Sequence, residues 1–324
     1  MAVFAQNACH RGFVAVIYTV TLNPALDKEY RVAKLAHDQV LRASSVKLDY
    51  GGKGFNIARL LATLGSDCIA LGLIGGQTGD VLSEGLRAMG IKTDFVRVHG
   101  ETRTNISIVG ESDGTYIKVN ELGPEVSNIE TDILLQKMDK LVQPGDWWIL
   151  AGSLPVGMRA DSYARMIRLI NQAGARAVLD TSGEALKLGC YAQPFLIKPN
   201  YDELTQILDI EERDSTGFGK AIARLHEIGV KNIVLSAGKE ATICSDGLKR
   251  WVGIPPEIEE RNPIGAGDAM LAAVVYSLSE NASMPDAFKW GIAAGSAAAC
   301  LPGTTMPDRD QIAQLLDKVI ISEE

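Results

Sequence analysis

The chain is organised around one short stretch, Asn262-Pro263-Ile264-Gly265-Ala266-Gly267-Asp268-Ala269-Met270. Three small residues precede a lone carboxylate, Asp268, and an apolar helical run to Leu278 follows at once. Small residues let backbone N–H groups converge, and a helix N-terminus adds the positive end of its dipole. The stretch therefore predicts a turn that holds an anion within reach of Asp268. A plain strand-to-helix turn with an acidic residue in the first helical turn fits the same pattern.

The composition favours one large α/β domain and disfavours several classes of function. With 324 residues, 46% of them hydrophobic, the chain can bury a sizeable core. Its formal net charge of -8 argues against a surface for nucleic acid or an anionic membrane. No apolar run reaches the roughly 18 residues that span a bilayer. Residues 1–13 do not have the pattern of a signal peptide, and we expect them to form a disordered extension.

The cysteines and histidines give no sign of a metal centre or a disulfide framework. The five cysteines lie far apart in the sequence, and none of the four histidines pairs with another at ligand spacing. A zinc enzyme and a His-based catalytic triad are therefore disfavoured. Such widely spaced cysteines fit a reducing compartment, and we expect the protein to work in the cytoplasm.

Strand-like and helix-like segments alternate along most of the chain. The β-branched run Val14–Val20 predicts a first buried strand, and Cys68–Ile74 predicts another. From about Val126, helix and strand alternate as far as Leu235, which is typical of a parallel sheet with helices on both faces. We therefore expect one α/β domain over residues 14–324.

Two regions, at about 28–50 and 94–122, break this alternation. They contain short segments in which apolar and polar residues alternate, among them Phe95–His99, Asn105–Val109 and Tyr116–Val119. In the second region this pattern predicts antiparallel strands with one solvated face, and in the first it predicts small, half-exposed strands. We expect these strands to form a separate small sheet beside the main one.

Unusual loops follow the predicted strands, at the edge where a doubly wound sheet binds its ligands. Each loop has an ordinary alternative: Asn200 with Glu203 equally predicts a helix-capping box, and Lys53 is equally typical of a solvated charge. The Walker A spacing and an early Gly-x-Gly-x-x-Gly are both missing, which disfavours a P-loop NTPase and a dinucleotide-dependent oxidoreductase. The loops are Asn23-Pro24-Ala25-Leu26-Asp27, Gly51-Gly52-Lys53-Gly54-Phe55-Asn56, Gly152-Ser153-Leu154-Pro155, Lys198-Pro199-Asn200, Ser236-Ala237-Gly238 and Gly265-Ala266-Gly267-Asp268.

Five of these loops, together with Thr102-Arg103-Thr104-Asn105, occur in an order that resembles the PfkB (ribokinase-like) carbohydrate kinases. The similarity is greatest to the branch of 1-phosphofructokinase and tagatose-6-phosphate kinase, and it runs from about Val16 to the C-terminus. It implies a three-layer α/β sandwich with a doubly wound, mostly parallel central sheet. It also implies a small β-sheet lid that joins two copies into a homodimer, and ATP-dependent phosphorylation of a sugar hydroxyl.

The resemblance implies a role for each motif. Asp268 would accept the proton of the attacking hydroxyl, while the backbone N–H groups of Gly265, Ala266 and Gly267 would hold the charge on the phosphoryl group. The implied magnesium residues are Asn200 and Glu203. The positions that match substrate-binding residues are Asp27, Gly52, Lys53, Asn56, Arg103, Asn105 and Ser153. The positions that match nucleotide-binding residues are Lys198, Asn200, Ser236, Gly238 and Gly267.

Two of these residues favour a substrate that already carries a phosphate. The guanidinium of Arg103 suits two phosphate oxygens, and Lys53 adds a point charge nearby. The expected reaction converts fructose 1-phosphate and ATP to fructose 1,6-bisphosphate and ADP. Tagatose-6-phosphate kinase and 6-phosphofructokinase are alternatives, because pocket shape sets the choice of sugar. A catalytically silent sugar-phosphate-binding regulator on the same scaffold is the alternative from another class.

Pro263 departs from the family pattern, which usually has threonine at this position before Gly-Ala-Gly-Asp. Proline removes a hydroxyl and a backbone donor beside the predicted anion-binding turn. A monovalent-cation site of the family uses neighbouring carbonyl groups. The sequence therefore leaves activation by K⁺ open.

Overall fold

The computed structural model describes residues 15–208, 215–236 and 241–324. The strands are β1 (Ile17–Thr21), β2 (Ala25–Val32), β3 (Ala43–Gly51), β4 (Cys68–Ile74), β5 (Lys92–Thr93), β6 (Val96–Arg97), β7 (Arg103–Gly110), β8 (Tyr116–Asn120), β9 (Trp147–Ala151), β10 (Arg176–Asp180), β11 (Leu196–Ile197), β12 (Asn232–Leu235), β13 (Thr242–Ser245), β14 (Arg250–Ile254) and β15 (Ile320–Glu323). The helices are α1 (Lys53–Thr63), α2 (Gly76–Ala88), α3 (Asn128–Leu141), α4 (Ser162–Gln172), α5 (Gly183–Cys190), α6 (Tyr201–Ile207), α7 (Ser215–Ile228), α8 (Ala266–Ser279), α9 (Met284–Ala299) and α10 (Arg309–Leu316).

The large sheet is parallel through its centre, as the alternation of strands and helices predicts. Its strand order is β15-β14-β13-β12-β11-β10-β9-β1-β4-β5, with β6 paired to β4. The strands from β12 to β5 pair in parallel, and β13, β14 and β15 add an antiparallel edge. Every residue of β1 and of β9 is buried. Continuous apolar strands of this kind require cover on both faces of the sheet.

Helices supply that cover and complete a three-layer sandwich. On one face, Ile149 of β9 packs in a core that includes Phe288 of α9. On the other face, the next residue, Leu150, packs in a core that includes Leu134 of α3. Successive strand residues point to opposite faces, so one strand contributes to both cores. No helix in the described ranges has both the length and the apolar composition that crossing a membrane requires.

The small sheet has the strand order β3-β2-β7-β8. The pairs β2–β3 and β7–β8 are antiparallel, but β2 and β7 are parallel. The antiparallel pairing predicted for the second region holds for β7 and β8, and the parallel pair of β2 with β7 joins the two regions. Both strands start at the same edge of the large sheet, β2 after β1 and β7 after β6, and they consequently run in the same direction.

The predicted strand Phe95–His99 is not part of the small sheet. Val96 and Arg97 pair in parallel with the end of β4, and Val96 and Val98 are buried in the core beneath α3. These apolar side chains prefer the main core to a half-solvated sheet. The second segment of the small sheet accordingly begins at Arg103. The predicted extension at 1–13 lies outside the described residues and stays a prediction.

Candidate active site

A cleft of about 1420 Å³ lies at the carboxyl ends of the central strands, beside the small sheet. Its lining comes from distant parts of the chain, because parallel strands end at the same edge of the sheet. Most of the predicted site residues belong to this lining. They are Asp27, Gly52, Lys53, Asn56, Lys198, Asn200, Glu203, Ser236, Gly265, Ala266, Gly267 and Asp268.

The turn from Gly265 to Asp268 begins helix α8. Gly265 has a φ of 84°, in the left-handed region that favours glycine. The N–H of Ala266 donates to the Pro263 carbonyl at 3.2 Å, so this donor is already used within the turn. A Cβ on Gly267 would lie 3.2 Å from Lys198 Nζ. The N-terminus of α8 and the Lys198 ammonium therefore meet at one place, which suits an anion.

Asp268 is buried beside this anion-binding turn, with 7% of its surface exposed. Asn56 Nδ2 donates to Asp268 Oδ2 at 2.6 Å. Burial and the nearby Asp180 carboxylate raise the pKa of Asp268 to about 6, whereas the Asn56 hydrogen bond, Lys53 and Lys198 act in the opposite direction. A carboxyl group with this pKa is suited to act as a general base near neutral pH.

Asp180 is a central charge of the site that the sequence analysis missed. It ends β10 and is fully buried, and it forms ion pairs with Lys53 at 2.8 Å and with Lys198 at 3.5 Å. Burial alone would raise the pKa of Asp180, but the two ammonium groups hold it below its usual range. Burial disfavours the charged form of Lys53, but the attraction of the Asp180 carboxylate and its hydrogen bond outweigh this effect. The pKa of Lys53 is therefore raised. The sequence did contain a signal for Asp180, since this carboxylate directly follows the predicted strand Ala177–Leu179.

Asp27 and Asn105 meet on adjacent strands of the small sheet. Asn105 Nδ2 donates to Asp27 Oδ1 at 2.7 Å. Burial raises the pKa of Asp27, and the Asn105 hydrogen bond partly offsets this increase. Asn105 Oδ1 is buried and has no hydrogen-bond partner within the described ranges. A buried acceptor without a donor is uncommon, and Asn105, unlike Asp27, is not in the lining of the cleft.

Arg103 lies at the base of the small sheet and not in the lining of the cleft. Its guanidinium donates to the carbonyl groups of Asn23 at 3.0 Å, Glu121 at 3.1 Å and Pro24 at 3.4 Å. Burial lowers its pKa, but a guanidinium stays protonated. Since arginine has five N–H donors, these three contacts leave two for another partner. Ser153 is exposed after β9 and is likewise not in the lining.

Asn200 and Glu203 form the capping box that the sequence offered as one alternative. Glu203 N–H donates to Asn200 Oδ1, and Asn200 N–H donates to Glu203 Oε2, both at 2.8 Å. Ser236 lies alongside, because its N–H donates to the Pro199 carbonyl at 3.1 Å. The described residues contain no group of three or more His, Cys, Asp or Glu side chains that could hold a metal. Gly238, a predicted nucleotide contact, lies outside the described residues.

The lining of the cleft also contains apolar side chains that the sequence analysis did not identify. These side chains come from four separate segments, so no local motif marks them. Walls of this kind suit a flat ring such as a nucleobase. They are Phe218, Pro255, Pro256, Ile258, Ile264, Met270, Ile292 and Ala299.

Comparison with known proteins places the whole chain in one family. The model of the pfkB family carbohydrate kinase matches residues 16–311. The chain is 33% identical over 285 residues to a 1-phosphofructokinase from Borreliella burgdorferi, a match that covers 88% of this chain and 92% of that protein.

Two solved structures extend the comparison. Phosphofructokinase-2 from Escherichia coli superposes with a TM-score of 0.89 at 29% identity, covering 94% of this chain and 98% of that one. A possible 1-phosphofructokinase from Thermotoga maritima superposes with a TM-score of 0.84 at 28% identity, covering 95% and 99%. The chain belongs to the pfkB family of carbohydrate kinases, which are phosphotransferases with an alcohol group as acceptor.

Proposed function

We propose that this protein is an ATP-dependent hexose-phosphate kinase that converts fructose 1-phosphate to fructose 1,6-bisphosphate. The observation that carries the proposal is the meeting of Asp268, the N-terminus of α8 and Lys198 in one cleft, with the Asp27–Asn105 pair at its side. A proton acceptor, an anion site and acceptors for sugar hydroxyls are the parts that phosphoryl transfer to a sugar needs. The 33% identical relative named 1-phosphofructokinase supports this choice of sugar.

ATP fits the cleft, whose lining includes apolar side chains for a nucleobase. Ligand pockets usually measure roughly 300–1,000 Å³, so a cleft of about 1420 Å³ has room for a nucleotide and a sugar phosphate side by side. The nucleobase would contact the apolar walls, and the phosphates would approach Gly267 and Lys198. Asn200 and Ser236, which line the same cleft, would contact these phosphates, and Gly238 stays a predicted contact.

Magnesium fits the cleft as an ion that arrives on the nucleotide phosphates and neutralises part of their charge. Asn200 Oδ1 is committed to the N–H of Glu203. Glu203 is therefore the residue that would approach the ion, whereas Asn200 would hold Glu203 in place. Magnesium keeps several of its waters, so one carboxylate that acts through water is sufficient.

Asp268 is the general base of the proposed reaction. Asn56 occupies Asp268 Oδ2, so Oδ1 is the atom that would take the proton of the sugar hydroxyl. The hydroxyl oxygen would form a bond to the γ-phosphorus as the bond to the ADP oxygen breaks. Lys198 and the N-terminus of α8 stabilise the charge on the phosphoryl oxygens, and Lys53 holds Lys198 in place through their shared partner Asp180.

The sugar phosphate would lie between Asp268 and the small sheet. Asp27 and Asn105 offer oxygen acceptors for its hydroxyl groups. The two remaining donors of Arg103 are the proposed contacts for its phosphate, while Lys53 adds positive charge at longer range. Gly52 allows the backbone of this loop to approach the sugar, since its φ of 143° disfavours a side chain. The contact of Ser153 stays a prediction.

The test of this proposal is an ADP-release assay with three substrates side by side, namely fructose 1-phosphate, fructose 6-phosphate and tagatose 6-phosphate. We expect the highest kcat/KM with fructose 1-phosphate. A preference for fructose 6-phosphate would support 6-phosphofructokinase instead, since Escherichia coli phosphofructokinase-2 has been solved in complex with that sugar. Binding of a sugar phosphate without ADP release would support the silent regulator.

We also propose that two copies associate through the small sheet. One face of this sheet carries mostly apolar side chains, with Lys28 of β2 among them, whereas the opposite face carries Asp27 and Asn105. Several of its side chains are solvent-exposed in the isolated chain, Val119 at 58% and Val46 at 54%. A contiguous exposed apolar patch is typical of an interface. The face consists of the apolar residues Tyr30, Val46, Leu48, Ile106, Ile108, Ile117 and Val119 around the charged Lys28.

Two further features complete the proposal. Escherichia coli phosphofructokinase-2 has been solved in complex with potassium, and we propose that this chain also binds K⁺ near the turn at Pro263, where a second lone pair of the Pro263 carbonyl stays available beside the Ala266 N–H. Rates in equal concentrations of KCl and NaCl test this point. We place the enzyme in the cytoplasm, and the free thiols of Cys68, Cys190 and Cys244 agree with a reducing compartment.

A further inference from the structure

A third polar residue, Arg59, stands behind the Asn56–Asp268 pair. It lies in α1, one turn after Asn56, and its Nη2 donates to Asn56 Oδ1. The guanidinium is itself held from the small sheet, where Asp49 Oδ1 lies 2.8 Å from Nη1 and the Tyr50 carbonyl lies 3.3 Å from Nη2. Only 12% of the Arg59 side chain is exposed. These contacts therefore form a connected, largely buried chain of hydrogen bonds that ends at Asp268.

The contacts with Arg59 and Asp268 allow only one orientation of the Asn56 amide. An arginine side chain only donates hydrogen bonds, and an ionised carboxylate only accepts them. The amide oxygen must therefore face Arg59, and the amide NH₂ must face Asp268. In the flipped orientation, NH₂ would face the guanidinium and the oxygen would face the carboxylate, and both contacts would repel.

We propose that Arg59 is a positioning residue that orients the Asn56 amide so that its N–H is donated to Asp268 Oδ2. This inference rests on the proposed function, because it takes Asp268 as the base. With Oδ2 held by Asn56, the other carboxylate oxygen stays available to the substrate hydroxyl. The donated N–H also favours the ionised carboxylate, the form that a base requires.

Other charged groups also face Asp268, and the test has to separate them from Arg59. Asp180 approaches from the end of β10, Lys53 from α1 and Lys198 from the segment after β11. These groups act on the Asp268 carboxyl directly through their charge, whereas Arg59 is proposed to act through the amide. Removing the amide therefore distinguishes the two routes.

The test measures the titration of the Asp268 carboxyl carbon by ¹³C NMR, without nucleotide or sugar. The Asp268 signal is identified by its loss in Asp268→Asn. In Arg59→Met, the amide loses its fixed orientation, and we expect the titration midpoint to rise by about one pH unit. In Arg59→Lys, which keeps a donor, we expect a rise of less than half that size. Because no turnover is needed, the result stays interpretable if the kinase assignment fails.

In kinetics, the acid limb of the kcat/KM profile should move to higher pH by the same amount in Arg59→Met. The matched control is Arg165→Met, which removes an exposed arginine paired with Asp132, and it must leave the titration unchanged. In an Asn56→Ala background, most of the effect of Arg59→Met must vanish, because no amide remains to be oriented.

Two results would overturn the proposal. One is an unchanged Asp268 titration in Arg59→Met. The other is an equal shift with and without Asn56, which would assign the effect to the arginine charge alone. Arg59→Ala is the second variant, because it removes the same donor and leaves no long side chain to be packed. The titration midpoint of Asp268 must rise in this variant as well.

Discussion

Asn56 Nδ2 lies 2.6 Å from Asp268 Oδ2, although the two residues are 212 positions apart in the chain. One residue lies in the first turn of α1 and the other in the first turn of α8. The two helices start at the same edge of the large sheet, and their N-termini therefore meet. This contact joins the predicted sugar loop to the predicted base.

Replacing the base should remove most of the activity. Asp268→Asn keeps the size of the side chain but accepts no proton, and we expect kcat to fall about a thousandfold. KM should change little, because the substrates are held elsewhere. Steady-state kinetics with both substrates measure the effect, and Asp132→Asn, on the exposed face of α3, is the control. A loss of less than tenfold would contradict the role of Asp268.

The same variant should make the protein more stable at neutral pH. The folded-state pKa of Asp268, about 6, lies above the ordinary value of 3.8. The folded protein therefore holds the Asp268 proton more tightly than the unfolded chain does, and ionisation of Asp268 destabilises the fold. The stability that this group contributes is present below pH 3.8 and is lost as the pH rises through 6. We expect Asp268→Asn to raise the free energy of unfolding by up to about 3 kcal/mol at pH 8. Urea unfolding at pH 8 and pH 4 checks this, and a gain of equal size at both would count against it.

The phosphate contact assigned to Arg103 predicts a selective effect. Arg103→Ala should raise KM for the sugar phosphate about tenfold or more and leave KM for ATP almost unchanged. Arg103→Lys keeps the charge but cannot hold three carbonyl groups and a phosphate, so it should recover only part of the loss. An equal rise in both KM values would instead assign Arg103 to the structure of the small sheet alone.

The Asp180 ion pairs should be important for stability as well as for the site. Asp180→Asn leaves Lys198 and Lys53 without their shared carboxylate, and we expect it to cost about 3 kcal/mol. Because the pKa of Asp180 is lowered by folding, its contribution is present at neutral pH and is lost as the pH falls through its folded-state pKa. Adding Lys53→Met to Asp180→Asn should recover part of the stability, because one unpaired cation is removed. Additive losses in this double-mutant cycle would contradict the coupling.

The proposed interface predicts a change of oligomeric state. Val46→Asp with Val119→Asp introduces charges into the apolar face of the small sheet, and the mass measured by light scattering should fall from that of two copies to that of one. The matched control is Val81→Asp, on the exposed side of α2. A wild-type protein that is already a single copy at micromolar concentration would rule out the interface.

Local patterns predicted much of this fold. The run Cys68–Ile74 matches a strand of the same bounds, and the glycines at 265 and 267 mark the start of α8. The helices α5 and α10 were not predicted; each has only eight residues, about two turns over which an apolar pattern can repeat. The apolar walls of the cleft were missed for a different reason, because they come from segments that are neighbours only in space.

The sequence by itself determined the family, the doubly wound sheet and the order of the site loops, because each depends on residues close together in the chain. Only the tertiary structure decided how those loops act on one another. It placed Asp180 between Lys53 and Lys198, and it brought the Asn56 amide against Asp268, 212 positions away in the chain. The charge and orientation of Asp268 depend on such contacts, since burial and neighbouring charges set a pKa and neither is a property of a local pattern.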